Sequence, residues 1–200
     1  MILNPGCRIQ NTKRRPVPRT RPFIALLPWL RFRHDVRDSV AMLIGVISDT
    51  HDRLPAVDAA MRLFHQRRVE AVIHAGDFVA PFAVKRLFAY RGPLHVVYGN
   101  NDGERAGLKE LMPQIVDGPL MLELGGRSIL VHHFIDWCSP EDMSRAQIVI
   151  TGHTHEAVNR FEREKLFLNP GECCGWVGGR CTVALLDTEG PSAELCELEA

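Results

Sequence analysis

The stretch Ile148-Val149-Ile150-Thr151-Gly152-His153-Thr154-His155-Glu156 joins a short apolar run to two histidines that are separated by one residue. The apolar, mostly β-branched residues predict a buried strand, and Gly152 marks the point where the strand becomes a loop. His153 and His155 therefore lie at a strand end, where side chains from several loops can converge. Alone, the pair is compatible with a metal site, a hydrogen-bonded surface loop or chance.

Polar residues also follow three strands predicted near the start of the chain. The strands are Leu43 to Ile47, Val69 to Ala75 and Leu94 to Tyr98, and helices are predicted over Pro55 to Arg68, 80–90 and Glu104 to Met112. Alternation of strands and helices predicts a parallel sheet covered by helices, with a ligand site beyond the carboxyl ends of the strands. The polar residues at these ends are Asp49, His51, Asp77, Asn100, Asn101 and Asp102.

The second half of the chain has a different pattern, which predicts mainly antiparallel strands. Gly125-Gly126 separates two apolar runs as a two-residue hairpin turn, and the second run leads into His132-His133. Ser139-Pro140 predicts a helix start. Further strands are expected at 158–161 and 166–168, around a turn at Arg163-Glu164, and a last pair at 181–186 and 193–198.

Composition excludes several classes of protein. Residues 42–200 carry 15 basic and 22 acidic residues, so no basic face marks a nucleic-acid-binding surface. No apolar run approaches the roughly 18 residues that a membrane helix needs. Six cysteines without a C-x-x-C spacing indicate reduced thiols and a cytoplasmic protein. Residues 1–41 hold nine basic and two acidic residues; a disordered leader, an organelle transit peptide or a mis-assigned start before Met42 would each explain them.

The strand-end residues are all oxygen or nitrogen donors, with no thiolate among them. Such a mixture suits Mn²⁺, Fe or Zn²⁺ bound for hydrolysis better than a structural zinc. The number of candidate ligands exceeds the need of one ion, and two metals about 3.5–4 Å apart are a known device for phosphoester hydrolysis. His74 lies inside a predicted strand and is expected to be a packed core histidine rather than a ligand.

The ordered motifs Asp-x-His, Gly-Asp, Gly-Asn-x-Asp, a histidine after a hairpin, and Gly-His-x-His resemble those of the calcineurin-like metallophosphoesterases. The compact spacing, with Asn169-Pro170-Gly171 after the last motif, is similar to the small YfcE-type phosphodiesterase branch. The resemblance covers Met42 to about Leu198. It implies an α/β fold, a four-layer αββα sandwich with two mixed sheets flanked by helices, over a 42–200 metallophosphoesterase domain.

The resemblance also implies a dinuclear centre of two divalent ions, with Mn²⁺ expected first and Fe, Zn or Ni as alternatives. It assigns Asp49, His51 and His155 to one metal, Asn100, His132 and His153 to the other, and Asp77 as the bridge. Asp102 would hold the site by hydrogen bonds, and a hydroxide bridging the metals would attack the substrate.

Three residues depart from the family pattern. Asn101 replaces a histidine that can protonate the leaving group, which disfavours poor alkoxide leaving groups. His133 replaces a glycine, so His133 rather than His132 could be the ligand, or it could supply the missing acid. Glu172 replaces a serine after Asn-Pro-Gly and could alter a turn or the rim of the pocket.

These residues predict a metal-dependent phosphodiesterase acting on a small-molecule phosphoester. A phosphomonoesterase acting on a nucleotide or small metabolite is the enzymatic alternative. A non-catalytic scaffold of the same fold, such as the retromer subunit, is the alternative from another class, but it predicts missing ligands. Family members are often dimeric, so a homodimer is an open expectation. The sequence names neither the natural substrate nor the metal.

Overall fold

The computed structural model describes residues 41–200, which form two five-stranded sheets with helices on their outer faces. The strands are β1 (Leu43–Ile47), β2 (Ala71–His74), β3 (Leu94–Val96), β4 (Leu120–Leu124), β5 (Arg127–Val131), β6 (Ile148–Ile150), β7 (Ala157–Glu162), β8 (Lys165–Pro170), β9 (Thr182–Asp187) and β10 (Ser192–Glu197). The helices are α1 (Leu54–Gln66), α2 (Pro81–Val84), α3 (Arg105–Leu111) and α4 (Pro140–Arg145). Short 3₁₀ turns cover Leu87–Ala89 and Ile135–Trp137.

The first sheet has the strand order β10-β9-β1-β2-β3. β1, β2 and β3 are parallel, as the alternation of strands and helices predicts, while β9 pairs antiparallel with β1 and with β10. The last two strands of the chain therefore return to the first sheet and extend it beyond β1. The loops that follow β1, β2 and β3 leave the sheet at the same edge.

The second sheet has the order β4-β5-β6-β8-β7. Two hairpins form its outer parts, and β6 pairs in parallel with both β5 and β8 at its centre. Gly125 and Gly126 both have positive φ, as a two-residue hairpin turn requires. The parallel pairs place the loops after β5, β6 and β8 at one edge of this sheet.

Three apolar layers hold the sandwich together. Ile44 and Val46 of β1 pack between the sheets against Ile148 and Ile150 of β6. The alternate residues of β1 face α1, where Gly45 leaves room for the Phe64 ring because a Cβ would lie 2.9 Å from its atoms. A smaller cluster lies beneath α4. The predicted αββα fold class is confirmed.

The predicted helix over 80–90 is shorter and interrupted in the structure. It consists of α2 and the 3₁₀ turn at Leu87–Ala89. The sequence predicts Phe82, Leu87 and Phe88 as the packing residues of a continuous helix. Of these three, only Leu87 is buried, while Phe82 is 55% exposed and Phe88 is 36% exposed, so the prediction is wrong for the two phenylalanines. A continuous helix would have presented one apolar face, and the break after Val84 turns these rings outward.

Three further findings concern membrane spans, the basic leader and the adjacent cysteines. No helix within residues 41–200 has the length and apolar character needed to cross a membrane. The predictions about the basic leader concern residues that, apart from residue 41, lie outside those the structure describes. Cys173 and Cys174 are free thiols, so the vicinal pair is not a disulfide.

His74 at the end of β2 is a packed core histidine, as predicted. Its side chain is fully buried and its ring stacks on Phe78 with centroids 3.7 Å apart. Its Nδ1 accepts the Gly76 N–H at 3.1 Å, so the ring proton resides on Nε2, which lies 3.3 Å from Thr50 Oγ1. Burial holds the pKa of His74 well below its ordinary value.

This lowered pKa predicts a pH dependence of stability. Below about pH 6.5 the unfolded chain binds a proton at this position and the folded chain does not. The free energy of unfolding therefore decreases as the pH is lowered, by up to about 1.4 kcal/mol per pH unit. His74→Asn, which keeps an acceptor for Gly76, should remove that part of the slope. Urea denaturation in chelator between pH 5 and 7.5 measures it, with the exposed His65→Asn as the control. Equal slopes in wild type and His74→Asn would contradict the account.

Candidate metal centre

Six loops meet where the carboxyl ends of the parallel strands of both sheets face one another. β1, β2 and β3 are followed by the Asp-x-His, Gly-Asp and Gly-Asn-Asn-Asp motifs, and β5 and β6 by the histidine pair and Gly-His-x-His. β8 ends within the Asn-Pro-Gly-Glu motif, at Pro170. We refer to the residues gathered there as the strand-end cluster: Asp49, His51, Asp77, Asn100, His133, His153 and His155.

The backbone of these loops is constrained as well as close. Five cluster residues have positive φ, an uncommon conformation for residues other than glycine: Asp49, His51, Asp77, His153 and His155. Backbone hydrogen bonds between loops hold some of them, including Asp49 N to Gly76 O and Thr50 N to Asp77 O, both at 3.0 Å. Each such residue costs on the order of 1–3 kcal/mol, and such residues concentrate at functional sites.

One half of the cluster is formed by the loops after β1 and β6. His155 Nε2 lies 3.4 Å and His51 Nε2 3.8 Å from Asp49 Oδ1. His51 Nε2 also lies 3.5 Å from Asp77 Oδ2. Two imidazole nitrogens and two carboxylates therefore surround one point.

The other half is formed by the loops after β3, β5 and β6. Asn100 Oδ1 lies 3.0 Å from His133 Nε2 and 2.7 Å from His153 Nδ1. His133 Nε2 is 3.3 Å from Asp77 Oδ2. Asp77 Oδ2 thus contacts a histidine from each half, which is the position that the resemblance assigns to a bridging carboxylate.

His132 is the one predicted ligand whose ring the structure keeps apart from the cluster. Its Nδ1 accepts the Phe134 N–H at 3.3 Å and its ring packs edge-on against Trp137. Neither ring nitrogen hydrogen-bonds to a cluster residue within residues 41–200. It is the ring of His133 that lies beside Asn100 and Asp77, where the resemblance places a histidine.

The alternation of side chains along β5 explains this difference. Ile129 and Val131 face the first sheet, and His133, two residues further on, continues on the same side. Leu130 faces the α4 side, and His132 follows it. This signal was present in the sequence, because the parity of the core residues of β5 already favours His133.

Asp102 and Asn101 support the cluster from behind. The buried Asp102 carboxylate accepts four backbone N–H groups, those of Asp77, Phe78, Val79 and Gly99, at 2.7–3.1 Å. Asp102 therefore ties the loop after β2 to the loop after β3. Asn101 donates its backbone N–H and its side-chain amide to the two oxygens of Asp77, at 2.8 and 2.7 Å.

The cluster buries negative charge without a fixed positive partner. Asp49 is 0% exposed and Asp77 1% exposed, and within residues 41–200 no lysine or arginine forms an ion pair with either. Asp49 Oδ1 and His51 Nε2 are both buried without a hydrogen-bond partner. Unpaired buried carboxylates are costly, and a cation between these atoms would satisfy them. The donors present therefore fit divalent metal ions.

The pKa values of the cluster residues also fit a site for divalent metal ions. Burial alone would raise the pKa of Asp77, but hydrogen bonds from His133 and Asn101 hold it below its ordinary value. Contact with Asp49 raises the pKa of His51. His133 has a raised pKa because the Asp77 carboxylate outweighs the effect of burial. The raised pKa values of the two histidines reflect the nearby carboxylates, and the lowered pKa of Asp77 reflects the donors that stabilise its ionised form.

Sequence reasoning missed the role of Glu172. Its carboxylate is 1% exposed and lies 2.8 Å from His155 Nδ1, on the side of the ring opposite to Asp49. Burial would raise the pKa of Glu172, but hydrogen bonds from Val177, Gly178, His155 and Cys174 lower it to about 2. The sequence alone offered one sign, a carboxylate at an unusual place after Asn-Pro-Gly.

Aromatic side chains lie on two sides of the cluster. The Phe134 ring is 4.3 Å from the His153 ring, and the 56% exposed Trp137 packs edge-on against Phe134. On the other side, Trp176 donates its indole N–H to His51 O at 3.3 Å. Both tryptophans therefore border the cluster rather than lie in the core.

Comparison with known proteins gives the family. Residues 42–191 match the calcineurin-like phosphoesterase superfamily domain. A phosphodiesterase from Methanocaldococcus jannaschii is 39% identical over 156 residues, which cover 74% of this chain and 94% of that protein. The chain belongs to the calcineurin-like phosphoesterase superfamily, as its motifs predict.

Solved structures agree with this fold. A structure described as a novel archaeal phosphodiesterase is 35% identical, with a TM-score of 0.70 over 78% of this chain and 100% of that one. YfcE, a phosphoesterase from E. coli, is 22% identical, with a TM-score of 0.62 over 79% and 100%. Vacuolar protein sorting 29 from Cryptosporidium parvum, 18% identical, has a TM-score of 0.59 over 80% and 100%. At these lower identities the likeness shows the fold alone.

Gly152 allows the loop after β6 to approach β1. A Cβ there would overlap Ser48 Oγ and lie 2.7 Å from Asp49 Oδ2. Gly152→Ala should therefore lower the free energy of unfolding by about 1–3 kcal/mol, because the two loops must separate. Urea denaturation of the metal-free chain measures the change. Gly103→Ala is the matched control, since nothing lies within 4 Å of its Cβ. Equal effects of the two substitutions would show that this close approach carries no strain.

Proposed function

We propose that this chain is a metal-dependent phosphodiesterase that uses two divalent ions held by the strand-end cluster. The observation that carries the proposal is the position of Asp77 Oδ2, which lies 3.5 Å from His51 Nε2 and 3.3 Å from His133 Nε2. One carboxylate oxygen thus faces one histidine of each half. The family membership and the phosphodiesterase relative support the same reaction class.

The ligands divide into two sets that share Asp77. We assign Asp49, His51 and His155 to one ion and Asn100, His133 and His153 to the other. His133 takes the role that the sequence assigned to His132, because its Nε2 faces Asp77 and Asn100. Its place in this set also removes it as the general acid. Oxygen and nitrogen donors favour Mn²⁺, with Fe, Zn²⁺ and Ni²⁺ as alternatives.

When bound, two such ions would supply a hydroxide nucleophile near neutral pH and offset the charge of the phosphoryl oxygens. The chain's own residues place and keep these ions. Asp102 fixes the loop that carries Asp77, and Asn101 holds both oxygens of that carboxylate through N–H groups. Because a buried carboxylate with a lowered pKa stays ionised, Asp77 is ready to bind cations over the neutral range.

The preference for diesters rests on Asn101. Its amide is directed to Asp77 and has no acidic proton to give to a leaving oxygen, so Asn101 does not act as a general acid. Esters with good leaving groups, such as aryl phosphodiesters, should therefore react faster than those that leave a poorly stabilised alkoxide.

Hydrolysis of bis(p-nitrophenyl) phosphate and p-nitrophenyl phosphate by the metal-stripped full-length chain tests the proposal. Adding Mn²⁺ should restore activity on the diester, with less on the monoester. A larger rate on the monoester would favour the phosphomonoesterase alternative. If the metal-bound protein hydrolyses neither substrate, that result would contradict the proposed hydrolase and favour a scaffold.

The ligand assignment predicts that the two adjacent histidines differ. His133→Ala should reduce diesterase activity by more than the roughly 10–100-fold that loss of an outer-shell partner costs. His132→Ala should change it by only a few-fold, because that ring packs on Trp137 away from the cluster. Steady-state kinetics at saturating Mn²⁺ and metal analysis of both variants measure this. The reverse order of effects would restore His132 as the ligand.

A further inference from the structure

Glu172 holds a buried position behind His155 that the proposed reaction does not use. It lies in the turn after β8, and both of its oxygens accept hydrogen bonds. The Val177 N–H is shared between them, 3.1 Å from Oε1 and 3.0 Å from Oε2, and the Gly178 N–H donates to Oε1. Oε2 lies 2.8 Å from His155 Nδ1 and 3.2 Å from Cys174 Sγ. The carboxylate is therefore fixed from several directions.

The contact with Glu172 decides where His155 carries its proton. An ionised carboxylate only accepts hydrogen bonds, so Nδ1 of His155 must be the donor. The neutral ring then has a free lone pair on Nε2, the atom that lies 3.4 Å from Asp49 Oδ1. Glu172 thus both orients the ring and leaves the nitrogen that faces the cluster open to a cation.

The two halves of the cluster differ in this support. His133 Nδ1 lies 2.7 Å from the backbone carbonyl of Ala75, a neutral acceptor. His153 directs its Nδ1 towards Asn100, and its ring packs against Phe134. Among these three histidines, only His155 has a carboxylate behind it. A carboxylate partner raises the basicity of a ligating imidazole more than a neutral one does.

We propose that Glu172 is a positioning residue that fixes His155 with its proton on Nδ1 and strengthens binding of the ion held by Asp49, His51 and His155. The proposal rests on the proposed metal centre. It adds that the two ions are bound unequally and that the unusual Glu172 is the reason. The ion of the His133 half lacks this support.

The opposing explanation is that Glu172 only pins its own turn through Val177 and Gly178. Glu172→Gln separates the two roles. With its oxygen at the Oε1 position, the amide can still accept the Gly178 N–H and the Val177 N–H, which gives up only its shared contact with Oε2. The amide nitrogen then faces His155 Nδ1. Because that nitrogen only donates, the imidazole must move its proton to Nε2, where it opposes metal binding. Glu172→Ala removes both roles.

Calorimetric titration of the metal-stripped full-length chain with Zn²⁺ tests this inference, together with nitrogen NMR of the histidine rings. Glu172→Gln should keep the melting temperature of the metal-free protein close to wild type. It should weaken one of two binding events by about 10–100-fold and leave the other unchanged. In the metal-free protein, His155 should carry its proton on Nδ1 in wild type and on Nε2 in Glu172→Gln. Glu197→Gln is the control, because this carboxylate pairs with Arg180 and does not contact His155.

Two results would overturn the proposal. One is unchanged binding of both ions by Glu172→Gln with the proton still on Nδ1. The other is a fall in melting temperature equal to that of Glu172→Ala, with both binding events weakened alike, which would assign Glu172 to the turn alone. If wild type binds no Zn²⁺, the proposed metal centre fails instead, and the proton position of His155 still decides the role of Glu172.

Discussion

Two buried carboxylates without a fixed positive partner are the constraint on which this site depends. Asp49 and Asp77 are almost completely excluded from water, and the groups around them are imidazoles, amides and backbone N–H groups. Burial of an uncompensated charge costs several kcal/mol per ion. A bound cation offsets this free energy, so buried carboxylates of this kind are typical of cation sites. The strained loops and the hydrogen bonds from Asn101 make sense as a means of keeping Asp77 ionised and in place.

The fold makes this concentration of charge possible through parallel strands in both sheets. β1, β2 and β3 deliver their loops to one edge, and β5, β6 and β8 deliver theirs to the facing edge. The apolar layer between the sheets, formed by residues such as Ile44 and Ile150, sets the distance between the two sets of loops. Glycines at the strand ends then permit close approach, as Gly99 does where a Cβ would overlap Asp77.

Much of this arrangement could be predicted from the sequence, because short apolar strands that end in polar motifs are a local signal. The hairpin at Gly125-Gly126 and the strand ends carrying Asp49, Asp77 and His155 are of this kind. The antiparallel pairing of β9 with β1 could not be predicted, since the two strands are far apart in the sequence and no local pattern identifies such a partner. The family motif predicts His132 as the ligand, whereas the side-chain alternation of β5 favours His133. Glu172 was recognised as unusual, but its partner His155 became visible only when the turn after β8 was placed.

We propose that the strand-end cluster holds two ions that share Asp77. Electron paramagnetic resonance of the metal-stripped full-length chain during titration with Mn²⁺ tests this proposal. We expect two equivalents to bind and the saturated spectrum to be exchange-coupled, as for ions about 3.5–4 Å apart. We also expect Asp77→Asn to abolish the coupling. A single bound equivalent, or two ions with independent spectra, would rule out a shared Asp77.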